Sequence, residues 1–226
     1  MHIRKDCFRK GYLRKAIKIS LPVGFEHFVV CAAQITSTKI VAPLGIVAIA
    51  ANSFGITAEA LCYMPGYGIA DAATTLVGQG IGAKKENVAK YFAKISTMIG
   101  MVLMSAMAVI MFFAAPYIMA MLSADAKVVA LGTKILRIEM FAEPMYAASI
   151  VASGALRGAG DTFVPSLMNF GSIWLVRMPL SYLLSLSMGL RGMWFAMCIE
   201  LIFRGSIFLY RLFKVRWWEK AKNRIQ

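Results

Sequence analysis

The chain has 226 residues, of which 59% are hydrophobic and only 16% carry a charge, against roughly 25% in an average soluble domain. At a mean hydropathy of +0.67, so much apolar surface cannot be buried in a soluble core of this size, and we expect most of it to face lipid. The formal net charge of +14 then indicates membrane topology rather than nucleic-acid binding, because basic residues collect in cytoplasmic loops.

Six apolar stretches are long enough to cross a membrane, since a spanning helix needs about 20 residues. Breaks rich in Gly, Pro or charge separate them. The predicted spans are 17–41, 46–80, 88–122, 128–156, 162–188 and 189–213. The second and third exceed the length that a span requires, so we expect tilt or a kink there, with Pro65 as the expected kink.

These spans predict an all-α integral membrane protein, a bundle of six transmembrane helices over residues 17–213. Residues 1–16 form a basic N-terminal segment and residues 214–226 a basic tail. If the N-terminus is cytoplasmic, that side holds most of the 25 Lys and Arg residues. We therefore predict a multi-pass protein of the cell membrane with both termini cytoplasmic. Trp217 and Trp218 among the basic residues of the tail indicate contact with membrane lipids.

Ionisable side chains inside the spans are costly, so each one calls for a partner or a role. Glu200 and Arg204 are four residues apart on one helix, and we predict that they pair. Arg177 has no acid on its own span, so we expect it to pair with a carboxylate of another helix or to contact a substrate. Asp71 is close to the end of its span, where solvation is the default.

Glu139 and Glu143 are also four residues apart, which predicts two carboxylates on one face of a helix, with Tyr146 further along that face. Carboxylates this close disfavour each other's ionisation, so one of them could hold a proton near neutral pH. Pro144 frees a backbone carbonyl one turn earlier, a common feature of ion sites inside membranes. The alternative is that Glu139 lies near the outer water layer and is merely solvated.

Glu26 follows Pro22 by one turn, so a proline beside an acid occurs in both the first and the fourth span. This repeated arrangement favours a cation pathway. The chain has no nucleophile-elbow, zinc-protease or phosphate-loop motif, and its only histidines are His2 and His27. Its four cysteines show no metal-site or disulfide pattern. We therefore expect neither an enzyme nor a metal site.

The stretch GALRGAGDT at 154–162 has the glycines of a phosphate-binding loop but lacks the preceding strand and the lysine that such loops require. It falls between the fourth and fifth spans, where glycines allow a tight reversal between helices. We expect Arg157 to be a cytoplasmic anchor. Asp161 and Thr162 are expected to cap the next helix.

Three stretches of the sequence carry a family resemblance. The segment LGIVAIAANSFGITAEALCYMPGYGIADAATTLVGQGIGAKKENVAKY resembles the second helix of the C-terminal lobe of the multidrug and toxic compound extrusion (MATE) transporters. GALRGAGDTFVPSLMNF, followed by WLVRMPLSYLL, resembles the junction between the fourth and fifth helices of that lobe, and SLPVGFEHF is similar to its first helix. Together these motifs cover nearly the whole chain in the family's order.

The resemblance implies two six-helix lobes that face each other across a central cavity, and export of organic, often cationic compounds coupled to inward Na⁺ or H⁺ flow. This chain corresponds to the C-terminal lobe only, and its basic N-terminal segment would be a remnant of the linker between lobes. The implied partners are a small organic substrate and either an N-terminal lobe, on a separate chain or missing, or a second copy of this chain. Nucleic acid is not expected.

The candidate site residues combine the buried acids with this resemblance. At the position where some family members place the aspartate of their cation site this chain has Tyr146, and the nearest acid is Glu143. The candidates for cation binding or proton coupling are Glu26, Glu139, Glu143 and Tyr146. The candidates for the substrate cavity or an ion pair are Asn52, Glu59 and Arg177. The coupling ion is Na⁺ or H⁺, with no other cofactor.

Two alternatives stay open. The first is a flippase of lipid-linked precursors from the same superfamily, whose anionic substrates favour a cavity rich in Arg and Lys, with Arg177 as the clear candidate. The second is a fragment that transports nothing, because lobes in this type of transporter work by rocking against each other.

Overall fold

The computed structural model describes residues 10–215 and 217–218. Within this range the α-helices are α1 Lys10–Val41, α2 Ile46–Gly82, α3 Glu86–Leu122, α4 Ala126–Glu139, α5 Glu143–Gly158, α6 Phe163–Gly171, α7 Met178–Met188 and α8 Leu190–Lys214. A 3-10 turn at Ala42–Leu44 joins α1 to α2, and a π-helical segment at Ser172–Arg177 joins α6 to α7. The predicted segments at 1–16 and 214–226 lie largely outside the described residues.

Four stretches of the described helices are long and apolar enough to cross a membrane: Gly24–Leu44, α2, α3 and α8. They coincide with the first, second, third and sixth predicted spans. Pro65 lies inside α2 and does not end it. The fifth predicted span is α6, the π-helical segment and α7 in continuous helical winding, whereas the fourth is divided into α4 and α5.

The division between α4 and α5 follows from a proline. Residues 140–142 form a turn, and Pro144 occupies the first turn of α5. Proline has no N–H to donate to the carbonyl of Met140, so the α-helical bonding pattern is interrupted there. The amide of Ala142 instead donates to the Glu139 carbonyl at 2.7 Å. Glu139 therefore ends one helix and Glu143 begins the next, so the prediction of one helix face shared by both is wrong.

Helices α2 and α5 pack closely because α5 presents glycine to the backbone of α2. A Cβ on Gly154 would lie 2.6 Å from the carbonyl oxygen of Ala70 and 3.0 Å from its Cβ. Gly158 is equally confined by the backbone of Thr74. The close approach lets the hydroxyl of Thr74 donate to the Gly154 carbonyl at 2.8 Å, which joins the two helices directly.

The turn between α5 and α6 agrees with the expected reversal but not with the expected cap. Gly160 has a φ of 81°, a conformation that favours glycine. Thr162 occupies the N-cap position of α6, but no side chain caps that helix. The Asp161 carboxylate instead forms an ion pair with Arg211 at the end of α8. The predicted cap is therefore wrong, and the acid ties the turn to α8.

The outer surface of the bundle is apolar, as the composition predicts. Large hydrophobic side chains on α3 are exposed, with Phe113 at 69%, Tyr117 at 75% and Met121 at 87%. The buried positions of α3 are mainly small residues and methionines. This inverted pattern, large outside and small inside, is typical of helices that pack closely in lipid.

The glycine contact between α2 and α5 can be tested with a matched pair of substitutions. We expect Gly154→Ala to lower the free energy of unfolding by about 1–3 kcal/mol, because its Cβ overlaps a backbone carbonyl that cannot move alone. Gly68→Ala is the control, since a Cβ there meets nothing within 4 Å. We expect it to be neutral or stabilising by about 0.5–1 kcal/mol through helix propensity. Unfolding by sodium dodecyl sulfate, followed by circular dichroism, measures both, and equal stabilities would contradict the close contact.

Candidate ion and substrate site

A cavity of about 630 Å³ opens on one face of the bundle. Its walls come from α1, α2, α5, the stretch from α6 through the π-helical segment, and α8. Of the residues predicted for the site, those that line this cavity are Glu26, Asn52, Glu59, Tyr146 and Arg177. Glu139 and Glu143 do not belong to the lining but lie deeper in the bundle, with no exposed surface.

One face of α2 supplies the central wall of the cavity. Asn52, Glu59, Tyr63 and Tyr67 recur along it at helical spacing, so their side chains share a face. Asn52 is buried, and its Oδ1 accepts a hydrogen bond of 3.0 Å from the indole N–H of Trp194. Asn52 is therefore already bonded within the lobe and helps to hold α8 against α2.

Glu59, Glu139 and Glu143 form a buried cluster of carboxyl groups, which we call the acidic cluster. Glu59 is 7% exposed and borders the cavity, whereas the other two are completely buried. In the part of the chain that the structure describes, no carboxyl oxygen of Glu139 or Glu143 has a hydrogen-bond partner. The Glu59 and Glu139 carboxyls face each other without the geometry of a normal hydrogen bond. Glu139 is therefore not solvated at an outer water layer, and that alternative is wrong.

Ionised carboxylates without a partner are very expensive to bury, so the acidic cluster calls for a proton or a cation. Within the described residues, no group of three or more His, Cys, Asp or Glu side chains could hold a metal ion. The guanidinium of Arg177 also lies close enough to the acidic cluster to interact electrostatically with Glu59 and Glu139. Of the three carboxyl groups, only that of Glu59 lines the cavity.

Glu26 is engaged by three donors at the end of the cavity near the α5–α6 turn. Its Oε1 lies 2.8 Å from Nη2 of Arg157 and 2.7 Å from the amide nitrogen of Asn169, and its Oε2 accepts from the Ser166 hydroxyl at 2.8 Å. Arg157 is thus a partner of Glu26 rather than an isolated anchor. An ion that binds at Glu26 must displace or rearrange this set of donors.

The arginines that face the cavity differ in their partners. Arg204 forms the predicted pair with Glu200, Nε to Oε1 at 3.2 Å, and its guanidinium lies 5.4 Å from the ring centre of Tyr146. Ser172 at the start of the π-helical segment also donates to Glu200. Arg177, at the end of that segment, forms no ion pair within the described residues, and its guanidinium donates a hydrogen bond to the sulfur of Met197. The expectation of a carboxylate partner for Arg177 is therefore wrong.

Two tyrosines that the sequence analysis did not single out complete the cavity wall. The ring of Tyr63 lies 5.8 Å from that of Tyr67 and 6.0 Å from that of Tyr146, both edge to face. In EALCYMPGY, Tyr63 follows Glu59 by four residues and Tyr67 follows Tyr63 by four, and this helical spacing was the available signal. The three rings give the cavity an aromatic surface beside its charged groups, which suits flat organic cations and aromatic compounds.

The Glu26–Arg157 pair predicts a stability effect. We expect Glu26→Gln to lower the free energy of unfolding by about 1–3 kcal/mol, because it removes the charge that compensates a partly buried guanidinium. Arg157→Gln in the same background should restore most of the loss. Unfolding titrations of the two single variants and the double variant measure the coupling, and strictly additive effects would show that the pair contributes nothing.

A family model described as MatE matches residues 22–183 of the chain. The chain is also similar to the probable multidrug resistance proteins NorM of Chromobacterium violaceum, at 32% identity over 203 residues, and of Thermotoga maritima, at 27% over 212 residues. These matches cover 87% and 92% of this chain but 43% and 45% of the relatives. The chain therefore spans about half the length of the curated relatives that it matches.

Solved structures contain the same fold as half of a longer chain. The Vibrio cholerae MATE transporter VcmN in the bent form matches with a TM-score of 0.87 at 15% identity, covering 99% of this chain and 50% of that one. An outward-facing multidrug resistance MATE family transporter of the MOP superfamily matches with a TM-score of 0.84 at 19% identity, covering 89% and 45%. At these identities the likeness shows the fold alone.

Proposed function

This chain belongs to the MatE family of multi-pass membrane transporters, and we propose that it is the C-terminal six-helix lobe of a cation-coupled exporter of organic, often cationic compounds. The observation that carries the proposal is the cavity, which has aromatic rings and Glu59 in its wall and the acidic cluster behind it. A binding surface for organic compounds and a store for the coupling ion thus lie side by side.

The proposal includes six membrane crossings, two more than the four stretches of the described chain that are long and apolar enough as single helices. Residues 126–158 and 163–188 are each long enough to cross the membrane once their interruptions are included. A turn at residues 140–142 is acceptable inside a bilayer where protein covers it, and Met140, Ala142 and Glu143 are all buried. With six crossings, both ends of the chain lie on one side, and the distribution of Lys and Arg favours the cytoplasm.

The cavity also supports a partner lobe. Glu59, Asp71 and Arg177 line a face that would otherwise be in contact with lipid, and charged groups there cost several kcal/mol by most estimates. A second lobe would cover this face and enclose the cavity between two bundles. The partner is an N-terminal lobe or a second copy of this chain, and the rocking of one lobe against the other exposes the cavity to each side in turn.

Coupling is proposed to run through the acidic cluster. In this proposal Glu139 and Glu143 hold a proton or respond to a cation bound at Glu59, while Arg204 lies against the ring of Tyr146 at the cavity wall. Glu26 is a second proposed point of coupling at the other end of the cavity. Protonation of its carboxylate would weaken the bond to Arg157 and so loosen α1 from α5 and α6.

A transport assay tests the coupling. The full chain, reconstituted into liposomes, is expected to move ethidium only when a Na⁺ or pH gradient is imposed. We expect Glu139→Gln and Glu143→Gln each to lower this gradient-driven rate about tenfold, equivalent to about 1.4 kcal/mol of lost coupling. Glu86→Gln, at the start of α3 and outside the cavity, is the matched control.

Two results would overturn parts of the proposal. Dye movement that needs no gradient rejects coupling, and movement equal to that in empty liposomes rejects transport by this chain without an N-terminal lobe. The flippase alternative rests on the arginines of the cavity, Arg157, Arg177 and Arg204. Translocation of an anionic fluorescent lipid, in liposomes where ethidium does not move, would favour that alternative.

The need for a second lobe predicts the oligomeric state. If the chain transports ethidium alone, we expect it to be a dimer in mild detergent, because a single lobe has nothing to rock against. Light scattering coupled to size-exclusion chromatography measures the protein mass after subtraction of the detergent. A monomer that transports after reconstitution at one copy per vesicle would contradict the two-lobe arrangement.

A further inference from the structure

Two side chains of opposite charge, Glu59 and Arg177, line the cavity without an ionic partner. Within the described residues, the ion pairs are Glu26–Arg157, Glu200–Arg204 and Asp161–Arg211. Glu59 takes part in none of them although it is only 7% exposed, and Arg177 is half-buried with only the sulfur of Met197 as a hydrogen-bond partner. A buried carboxyl group and a half-buried guanidinium therefore face the same cavity.

The separation between these groups is fixed by the helices that carry them. Glu59 and Arg177 interact electrostatically, yet they do not form an ion pair, so more than 4.0 Å separates their charged atoms. Glu59 is on the central wall from α2, and Arg177 lines the cavity from the end of the π-helical segment. π-Helical turns are often found at functional sites, because the extra residue redirects the side chains that follow it.

Of the cavity's three arginines, Arg177 is the one left to bind an anion. Arg157 is neutralised by Glu26, and Arg204 is neutralised by Glu200 and lies against the ring of Tyr146. Among the acids, Asp71 is exposed and can be solvated, whereas Glu59 is not. Among the charged groups that line the cavity, those shielded from water and without an ion pair within the described residues are thus the buried Glu59 carboxylate and the half-buried Arg177 guanidinium.

We propose that the cavity binds amphoteric compounds, with an anionic group of the ligand on Arg177, a cationic nitrogen near Glu59 and an aromatic body against Tyr63 and Tyr146. This inference rests on the proposed function, in which the same cavity holds the transported compound. A guanidinium can donate two parallel N–H bonds to a carboxylate, which makes arginine a selective partner for that group.

Compounds with a single charge fit this arrangement less well. A purely cationic ligand at Glu59 leaves Arg177 unpaired beside a second positive charge. A purely anionic ligand at Arg177 leaves Glu59 unpaired beside a second negative charge. Both arrangements are unfavourable in a site shielded from water, where charges interact more strongly than in solution. A ligand with both charges satisfies both side chains at once.

Three fluorescent xanthene dyes of similar shape provide the test. Rhodamine B carries a carboxylate and a cationic xanthene, its ethyl ester keeps only the cation, and fluorescein keeps the carboxylate without a cationic nitrogen. Binding of each to the full chain in lipid nanodiscs is measured by fluorescence polarisation, with no ion gradient present. We expect rhodamine B to bind most tightly, and equal or tighter binding of the ester or of fluorescein would overturn the proposal.

Substitutions assign the effect to the two side chains. We expect Arg177→Gln to weaken binding of rhodamine B about tenfold or more, since a charged hydrogen bond to its carboxylate is lost. Binding of the ester should stay unchanged or become tighter, since the substitution removes a like charge beside its cation. Arg177→Lys should recover part of the loss. Glu59→Gln should weaken rhodamine B and its ester but not fluorescein. Arg191→Gln, on an exposed arginine at the start of α8, is the control.

The outcomes separate this inference from the proposed function. If Arg177→Gln weakens the acid and the ester equally, in protein whose size-exclusion profile is unchanged, the anion subsite is rejected whether or not the chain transports. If the discrimination between acid and ester depends on Arg177 but the liposomes show no gradient-driven flux, the subsite stands and the transport proposal fails.

Discussion

Charged side chains in the middle of membrane helices cost several kcal/mol when they face lipid, and this constraint organises the bundle. The outer surface is apolar, with large side chains such as Phe113 and Met121 exposed on α3. The charges are directed inward, into ion pairs such as Glu200–Arg204 or toward one cavity. The same energetic cost explains why Glu59 and Arg177 lie on a concave face, because on the outer surface their charges would face lipid.

Close packing supplies the rigidity that this arrangement needs. Gly154 and Gly158 bring α5 against the backbone of α2, and the hydroxyl of Thr74 bonds across the contact. These two helices carry Glu59 and Glu143, so their spacing sets the geometry of the acidic cluster. The GALRGAGDT stretch therefore contributes to the site through the position of its helix, and its arginine holds Glu26.

The carboxyl groups in and behind the cavity differ in how many hydrogen-bond and ion-pair partners they have. Glu26 accepts from three donors near the α5–α6 turn, whereas the carboxyl oxygens of Glu139 and Glu143 in the bundle interior have no hydrogen-bond partner among the described residues. Glu59 and Arg177 lie between these extremes, each buried or half-buried and each open to the cavity. Both the proposed coupling and the proposed ligand class depend on this difference in the number of partners.

The sequence by itself determined the helices, their order and the family, because apolar length, helix-breaking residues and motifs are local properties of the chain. It also predicted Glu200–Arg204, since a spacing of four residues fixes that contact within one helix. The same rule failed at Glu139 and Glu143, because Pro144 interrupts the helical hydrogen bonding and a turn at residues 140–142 separates them. The sequence could not predict the ion pairs Glu26–Arg157 and Asp161–Arg211. Nor could it predict that Arg177 has no ion-pair partner among the described residues. Those pairings join residues on different helices, so only the packing of the bundle, set by small-residue contacts far apart in the chain, decided which charges meet.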